Sequence, residues 1–298
     1  MAKIGILDLK EYGFMQDVIK KLPQGSAEFI SFAEQDYEKA KEYDVILDRL
    51  SFQEPFLRQV MMLAALSGTY VINNPFASSI NNKILEHKIA KSLGIKQPKT
   101  IVLPRINGEW DLGGCVREPD WEAIRRSIQL PCILKPYNGF AWENVYVVAS
   151  YRELENLYNS LKQDHIMLVQ EKIEYTDYFR VFCVNRKDVL ITKWAPIPGG
   201  IGGYSVPDSK QLEVFGKRIT DATTALNKML DFDFNAAEWC IDEDGELWMI
   251  EAMNEVPDAD RRFIPDEQYW WLVDKLCQCI MEKTSSNERN RTAFGTVQ

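Results

Sequence analysis

Over the first hundred residues, short apolar runs alternate with amphipathic stretches. "KIGILDL" (3–9), "AEFISF" (27–32), "YDVILDRL" (43–50) and "TYVINNP" (69–75) read as strands, and the intervening periodicity predicts helices near 13–22, 54–67 and 79–93. Strand and helix in turn describe an open, largely parallel sheet covered by helices. Gly94 is a helix stop, and Pro98 and Pro104 bracket the next short strand. Beyond residue 98 the texture changes. Strand-like runs crowd together at 99–103, "PCILKP", "VYVVAS", "HIMLVQEKI", "FRVFCVN", "VLITKWA", "NAAEWCI" and "LWMIEA", with helices expected near 119–128, 151–162, 208–230 and 266–283. That density of strands and hairpins suits an α+β region with antiparallel sheets. The closing stretch, 283–298, is polar and unpatterned and is expected to fray.

One hairpin draws attention to its acids. Asp244-Gly245 is a strong signal for a two-residue type I′ turn. With the turn centred there, Ile241 faces Trp248, and Glu238 falls directly opposite Glu251. Like charges in facing positions are destabilising, so the pair calls for a cation or a proton unless both acids simply point to water. Two carboxylates plus the carbonyl of Asn254 form an oxygen-only cluster of the kind that suits Mg²⁺.

Composition narrows the field. The chain has 298 residues, 46% of them hydrophobic and 27% charged, which suits a globular protein of roughly two domains. A net charge of −9 argues against nucleic-acid binding, no apolar run is long enough for a transmembrane helix, and the N-terminus carries no recognisable signal peptide. The 6 cysteines form no CxxC pair and read as reduced thiols of a cytoplasmic protein. With only 2 histidines, neither a poly-histidine zinc site nor a Ser/His/Asp or Cys/His arrangement can be built.

The remaining chemistry lies in basic residues at element ends. Lys135 closes the apolar run "PCILKP", where a lysine either snorkels to water or meets phosphate; Lys83 opens a helix, whose N-terminus already favours an anion. "LVQEKIEYTDYFRVF" runs from an apolar strand into Glu171, Lys172 and Ile173, whose backbone could meet an adenine edge, then to Asp177, an acceptor for ribose hydroxyls. Arg180 re-enters an apolar strand and needs an anionic partner there. The glycines of "IPGGIGGYS" (197–205) suit close approach of backbone to phosphate or carboxylate, although the segment is no Walker motif.

Taken in order, these pieces resemble the ATP-grasp superfamily: a lysine opening a helix, "GIKQPKT", "ILKP", "VQEKI" followed by an acid and an arginine, then an acid, a hairpin and "IEAMNEVPD". Within it the chain looks most like the carboxylate–amine ligases related to glutathione synthetase, D-alanine–D-alanine ligase and the glutamate-tail ligases. The resemblance implies an α/β pre-ATP-grasp domain over 1–97 and a two-lobed α+β ATP-grasp domain. Its small lobe would span 98–168 and its large lobe 169–284, ahead of a disordered tail from 285 to 298. It also implies the site. Lys83 and Lys135 would hold ATP phosphates; Glu171, Lys172 and Ile173 would form the adenine hinge and Asp177 would take the ribose. Glu238, Glu251 and Asn254 would bind Mg²⁺, with two ions expected. Arg180 and Lys193 would serve the acyl-phosphate side, with Arg49 and the 199–203 loop as further candidates. The implied reaction transfers the γ-phosphoryl group to a small-molecule or peptide carboxylate, and an amine then attacks the acyl phosphate. Homo-oligomerisation is left open.

Three departures from the family pattern stand out. Glu251 and Asn254 are three apart where Glu-x-Asn is usual, so they share a strand face only if the backbone bulges around Ala252-Met253. The lid segment "YNGFAWENV" has a single glycine, Gly139. Asp177 and Arg180 are also one residue further apart than in the glutamate-tail ligases, so either assignment could slip by one. An ATP-grasp kinase of a hydroxyl substrate and a degenerate nucleotide-binding protein are the competing expectations.

Overall fold

The computed structural model describes residues 2–33, 37–78, 83–106, 116–138, 143–195 and 203–292. Three sheets follow one another along the chain. The first is wholly parallel and has the order β2-β1-β3-β4, from β1 (Ile4–Leu7), β2 (Ala27–Phe29), β3 (Val45–Asp48) and β4 (Tyr70–Ile72). It is built with α1 (Gly13–Lys21), α2 (Pro55–Leu66) and α3 (Pro75–Ser78). β1, β3 and β4 are buried on both faces, as a helix-covered parallel sheet requires, while the edge strand β2 is part-exposed. Leu7, Ile46 and Val71 pack on α2 through Val60, Met61 and Ala64, while Ile4, Ile6 and Leu47 join the core that holds α1.

After α4 (Lys83–Ser92) comes a four-stranded sheet of order β5-β8-β6-β7, from β5 (Thr100–Leu103), β6 (Cys132–Pro136), β7 (Tyr146–Val148) and β8 (Met167–Glu171). Its pairings are antiparallel. The helices α5 (Trp121–Ser127) and α6 (Tyr151–Leu161) cover one face through Ile124, Leu154 and Tyr158. The opposite face carries Lys135, Leu168 and Val102, which are cross-strand neighbours.

The third sheet is also antiparallel, in the order β11-β10-β9-β12-β13. Its strands are β9 (Asp177–Val184), β10 (Asp188–Ala195), β11 (Gly203–Ser205), β12 (Phe234–Ile241) and β13 (Leu247–Glu251), with α7 (Ser209–Leu230) and α8 (Asp266–Ser285). Strand alternation decides what packs where. Phe179, Val181, Ala237 and Trp239 meet α7 through Ile219 and Leu226, whereas Tyr178, Phe182, Phe234 and Ala236 meet α8 and the first sheet. Among the described residues no helix is long and apolar enough to cross a membrane.

The structure corrects two local expectations. The β12–β13 hairpin does not have a two-residue turn: Asp242 N donates to Glu246 O and Gly245 N to Asp242 O, each at 3.1 Å, leaving a three-residue loop with Gly245 at φ 76°. Ile241 therefore faces Leu247 rather than Trp248. The segment after α8 does not fray as far as residue 292. Asn290 is buried against the free edge of β4, where its carboxamide accepts from Val71 N and donates to Val71 O, both at 2.8 Å. A side chain here does the work of a neighbouring strand and silences an open sheet edge.

That segment seals a buried ionic cluster absent from the sequence reading. Asp233, fully buried, lies 2.9 Å from Arg186 Nε and 3.3 Å from Lys283 Nζ, and accepts from Tyr70 Oη at 2.6 Å. Glu288 pairs with Arg186 and, at 2.6 Å, with Lys283. The cluster thereby joins the first sheet, the β9–β10 turn, α8 and the C-terminal segment.

Candidate active site

The facing acids come together, by an unexpected route. Glu238 is opposite Glu251, but the register shifts between Glu238 and Trp239, since Trp239 already faces Met249. One extra residue, Ile250, makes up for the three-residue loop. The same rung continues across the sheet: Glu238 also faces Arg180 on β9, and Arg180 faces Thr192 on β10. Glu251, Glu238 and Arg180 thus share one face of the third sheet.

The two lysines approach from other elements. Lys83 opens α4, and its backbone N donates to Tyr137 O at 3.1 Å, which ties the helix start to the strand end that carries Lys135. Its ammonium lies 2.7 Å from Glu251 Oε1. Lys135 is only 8% exposed; burial, with Lys83 nearby, pulls its pKa below the usual lysine range despite Glu251 and Glu86. For Lys83, burial acts in the same downward direction, but Glu251 and Glu86 outweigh it and raise the pKa. Burial would lift the Glu251 carboxyl as well, yet Lys83, Lys135 and Arg180 hold it below its usual range. Glu238, which accepts from Tyr178 Oη at 2.7 Å, is raised by burial and by Glu251.

A third carboxylate, Glu86, went unnoticed in the sequence. It lies on α4 one turn after Lys83, is 3% exposed, and accepts from Ala252 N at 2.8 Å, immediately after Glu251. Burial, then Glu251, pushes its pKa up to about 7 from 4.5. An acid raised in the folded state takes up a proton on folding, so its stabilisation is full below about pH 4.5 and is lost as pH rises through 7. Glu86→Gln should therefore flatten that fall. Relative to wild type, the variant should gain on the order of 2 kcal/mol between pH 5 and pH 8 in urea unfolding. An equal difference at both pH values would show that Glu86 is already ionised at pH 5.

Asn254 reaches the same face as Arg180 by a bend stitched through one side chain. Asn235 Nδ2 donates to Ala252 O at 2.9 Å, and Asn235 Oδ1 accepts from Asn254 N at 2.8 Å. Asn254 O then accepts from Ala236 N at 3.2 Å. Hydrogen-bond complementarity orients the Asn254 carboxamide with its nitrogen toward Val256 O, 3.1 Å, and its oxygen on Arg180. To meet a metal, that oxygen would have to leave the guanidinium.

Lys193 and Asp177 stand elsewhere. Lys193 faces Phe179 on the α7 side of the sheet, opposite to Arg180, and its ammonium lies 2.7 Å from Asp177 Oδ1. Gln211, in the first turn of α7, donates to the same oxygen at 2.5 Å. The residue two before Arg180, sharing its face, is Tyr178, whereas Asp177 lies on the opposite face. Lys193 is therefore not beside Arg180, because odd and even positions of a strand point oppositely. Of the hinge, Glu171 is bound to Lys99, its N donating to Lys99 O at 2.9 Å and its carboxylate accepting from Lys99 N at 3.2 Å. Lys172 pairs with Glu174, and Ile173 packs partly buried on the core. Arg49, 4% exposed, donates from Nε to Asp8 at 2.8 Å and from Nη2 to Pro257 O at 3.1 Å. Gly139 and the glycines at 199, 200 and 202 lie outside the described residues.

His87 also escaped the sequence reading. It follows Lys83 by one helical turn, and its Nε2 lies 3.2 Å from Gln170 Nε2 and 3.3 Å from Thr100 Oγ1. Burial and Lys135 keep its pKa low, so a neutral ring accepting at Nε2 fits. The spacing of four from Lys83 on one helix face was the available signal.

Among the described residues no three His, Cys, Asp or Glu side chains converge tightly enough to hold a metal alone. What converges is two carboxylates with lysines and an arginine around them, suited to an ion that draws its other oxygens from a polyphosphate. Solved structures share the fold. D-alanine–D-alanine ligase from Bacillus anthracis superposes with a TM-score of 0.72 at 17% identity, covering 96% of this chain and 98% of its own. The chain has the ATP-grasp fold. The ATP-grasp ligase PsnB, complexed with a minimal precursor, matches with a TM-score of 0.66 at 16% identity over 95% of this chain and 100% of its own. Macrocyclase MdnC from Microcystis aeruginosa, bound with precursor peptide MdnA, matches at 0.67 and 15% over the same shares. No protein-family model matches the sequence, nor does any curated protein.

Proposed function

We propose that this protein is an ATP-dependent carboxylate–amine ligase that forms an amide through an acyl phosphate. The observation that carries the reading is the rung Glu251–Glu238–Arg180 with Lys83 and Lys135 above it, on an ATP-grasp fold. Lys83 and Lys135 would take ATP phosphates, which frees Glu251 from Lys83. Glu251 and Glu238, with Asn254 if it releases Arg180, would hold up to two Mg²⁺ ions, which supply positive charge against the transferring phosphoryl group. Arg180, on the same face, would hold the acceptor carboxylate, and the Glu171–Ile173 connector would meet the adenine. Residues 1–97 would form the pre-ATP-grasp domain. Neighbours described as bound with a precursor peptide support a peptide carboxylate among the substrates to be tried.

Hydroxylamine, a small general nucleophile, tests the reading without knowledge of the amine. With Mg²⁺-ATP and a panel of amino acids and acidic peptides, an acceptable acid should yield ADP and hydroxamate in equal amounts. ADP accompanied by a stable phosphorylated product and no hydroxamate would make the protein a kinase instead.

A further inference from the structure

Three buried polar atoms lie beside the proposed acceptor position: Arg180 Nε and Trp194 Nε1 have no hydrogen-bond partner, and Tyr204 Oη, in reach of the Arg180 guanidinium, has no acceptor for its own proton. Their residues are 9%, 5% and 8% exposed, respectively. Orphaned donors at such depth are costly and uncommon, and they mark places where a ligand completes the bonding. The three belong together. Arg180 Cζ lies 5.0 Å from the centre of the Trp194 ring, and Trp194 pairs in register with Tyr204, their rings stacked at 6.4 Å and 25°. Burial pushes the Tyr204 hydroxyl up to about 12 even with Arg180 beside it, so it remains a proton donor.

An indole N–H and a guanidinium can only donate, so a group that accepts on more than one atom and carries negative charge suits these donors best. We infer that Trp194 and Tyr204, with Arg180, form a three-donor cradle for the carboxylate that the ligase activates, and that Trp194 and Tyr204 set which acids are accepted. The inference rests on the ATP-grasp reading for the use of the cradle, though not for its existence. Two uncharged donors on stiff rings fix a carboxylate in one orientation without adding charge that would compete with the metal side for the phosphates.

Acetate, the smallest suitable probe, tests the cradle. In a ¹H–¹⁵N spectrum the Trp194 indole signal is identified by its loss in Trp194→Phe. It should move downfield saturably with sodium acetate and stay put with sodium chloride at equal ionic strength. Tyr204→Phe keeps the ring and removes one donor, and should weaken acetate binding about ten-fold. A silent indole, an equal response to chloride, or unchanged binding in Tyr204→Phe would overturn the inference. Melting of the same samples with Mg²⁺-ATP separates the two readings. Nucleotide stabilisation with a silent indole removes the cradle alone; acetate binding without nucleotide stabilisation keeps the cradle and removes the ATP-grasp activity.

Discussion

Glu251→Gln should melt at the same temperature with and without Mg²⁺-ATP, whereas the wild-type protein should gain about 5 °C or more when nucleotide and metal are both present. A ligand at about 100 times its dissociation constant adds roughly 2.7 kcal/mol. For a chain of this size each kcal/mol is worth about 2–4 °C. The carboxamide is nearly the same shape but carries no charge, and Glu251 is the group in which both halves of the site meet. It faces Glu238 across the hairpin and lies 2.7 Å from Lys83 Nζ. On the proposed reading the ion pair is an internal stand-in: Lys83 would supply the positive charge that the facing acids require until phosphates drew it away. Glu243→Gln, on the same hairpin but in its exposed loop, is the control and should respond as wild type does. If Glu251→Gln keeps the full metal-dependent shift, the metal is held elsewhere and the facing acids are structural.

Asp233→Ala should be the most destabilising single change away from the site, costing about 3–5 kcal/mol and lowering the melt by about 10 °C. The energy comes from the groups left behind. Arg186, held at 2.9 Å, and Lys283, at 3.3 Å, would lose the carboxylate between them and keep only Glu288 and, for Arg186, Asp231, and Tyr70 Oη would lose its acceptor. Deleting residues 286–298 opens the same cluster from outside, since Glu288 leaves with them, and should lower the melt in the same direction. Glu282→Gln, which touches a half-exposed pair with Lys187 and an exposed hydrogen bond from Asn185, should be nearly silent. A melt unchanged in Asp233→Ala would mean that water or a protonated partner already relieves the cluster.

How far the sequence could be read depended on whether each residue's partner lay nearby along the chain. Lys83, Lys135, Glu238, Glu251 and Arg180 announce themselves by position at an element end or on a strand of known alternation, and all five meet. The pairing of Glu238 with Glu251 was legible for an instructive reason: the turn is one residue longer than predicted and the bulge at Ile250 restores the count. Lys193 was grouped with Arg180 as a basic residue in an apolar run, and the register of β9 on β10, which alone decides its face, sets it on the other side. Glu86, Trp194 and Tyr204 gave no local signal, since each acts through contacts that exist only once separate elements pack; His87 had only its spacing from Lys83. The tail was misread for the same reason. A polar, unpatterned segment looks disordered until the edge of β4 gives Asn290 two backbone groups to bind.

Asn235 has a consequence for how such sites are searched for. Its carboxamide spans Ala252 O and Asn254 N as a peptide unit of a neighbouring strand would, offering one donor and one acceptor in backbone order. A spacing rule written as Glu-x-Asn passes over this chain, because the extra residue is taken up in a bend held by a residue on another strand. The transferable signature is three-dimensional: an asparagine three positions before the first acid, together with Glu-x-x-Asn. Aspartate at the first position would not serve, having no N–H to give, so the identity of residue 235 is tied to the length of a segment many residues further on.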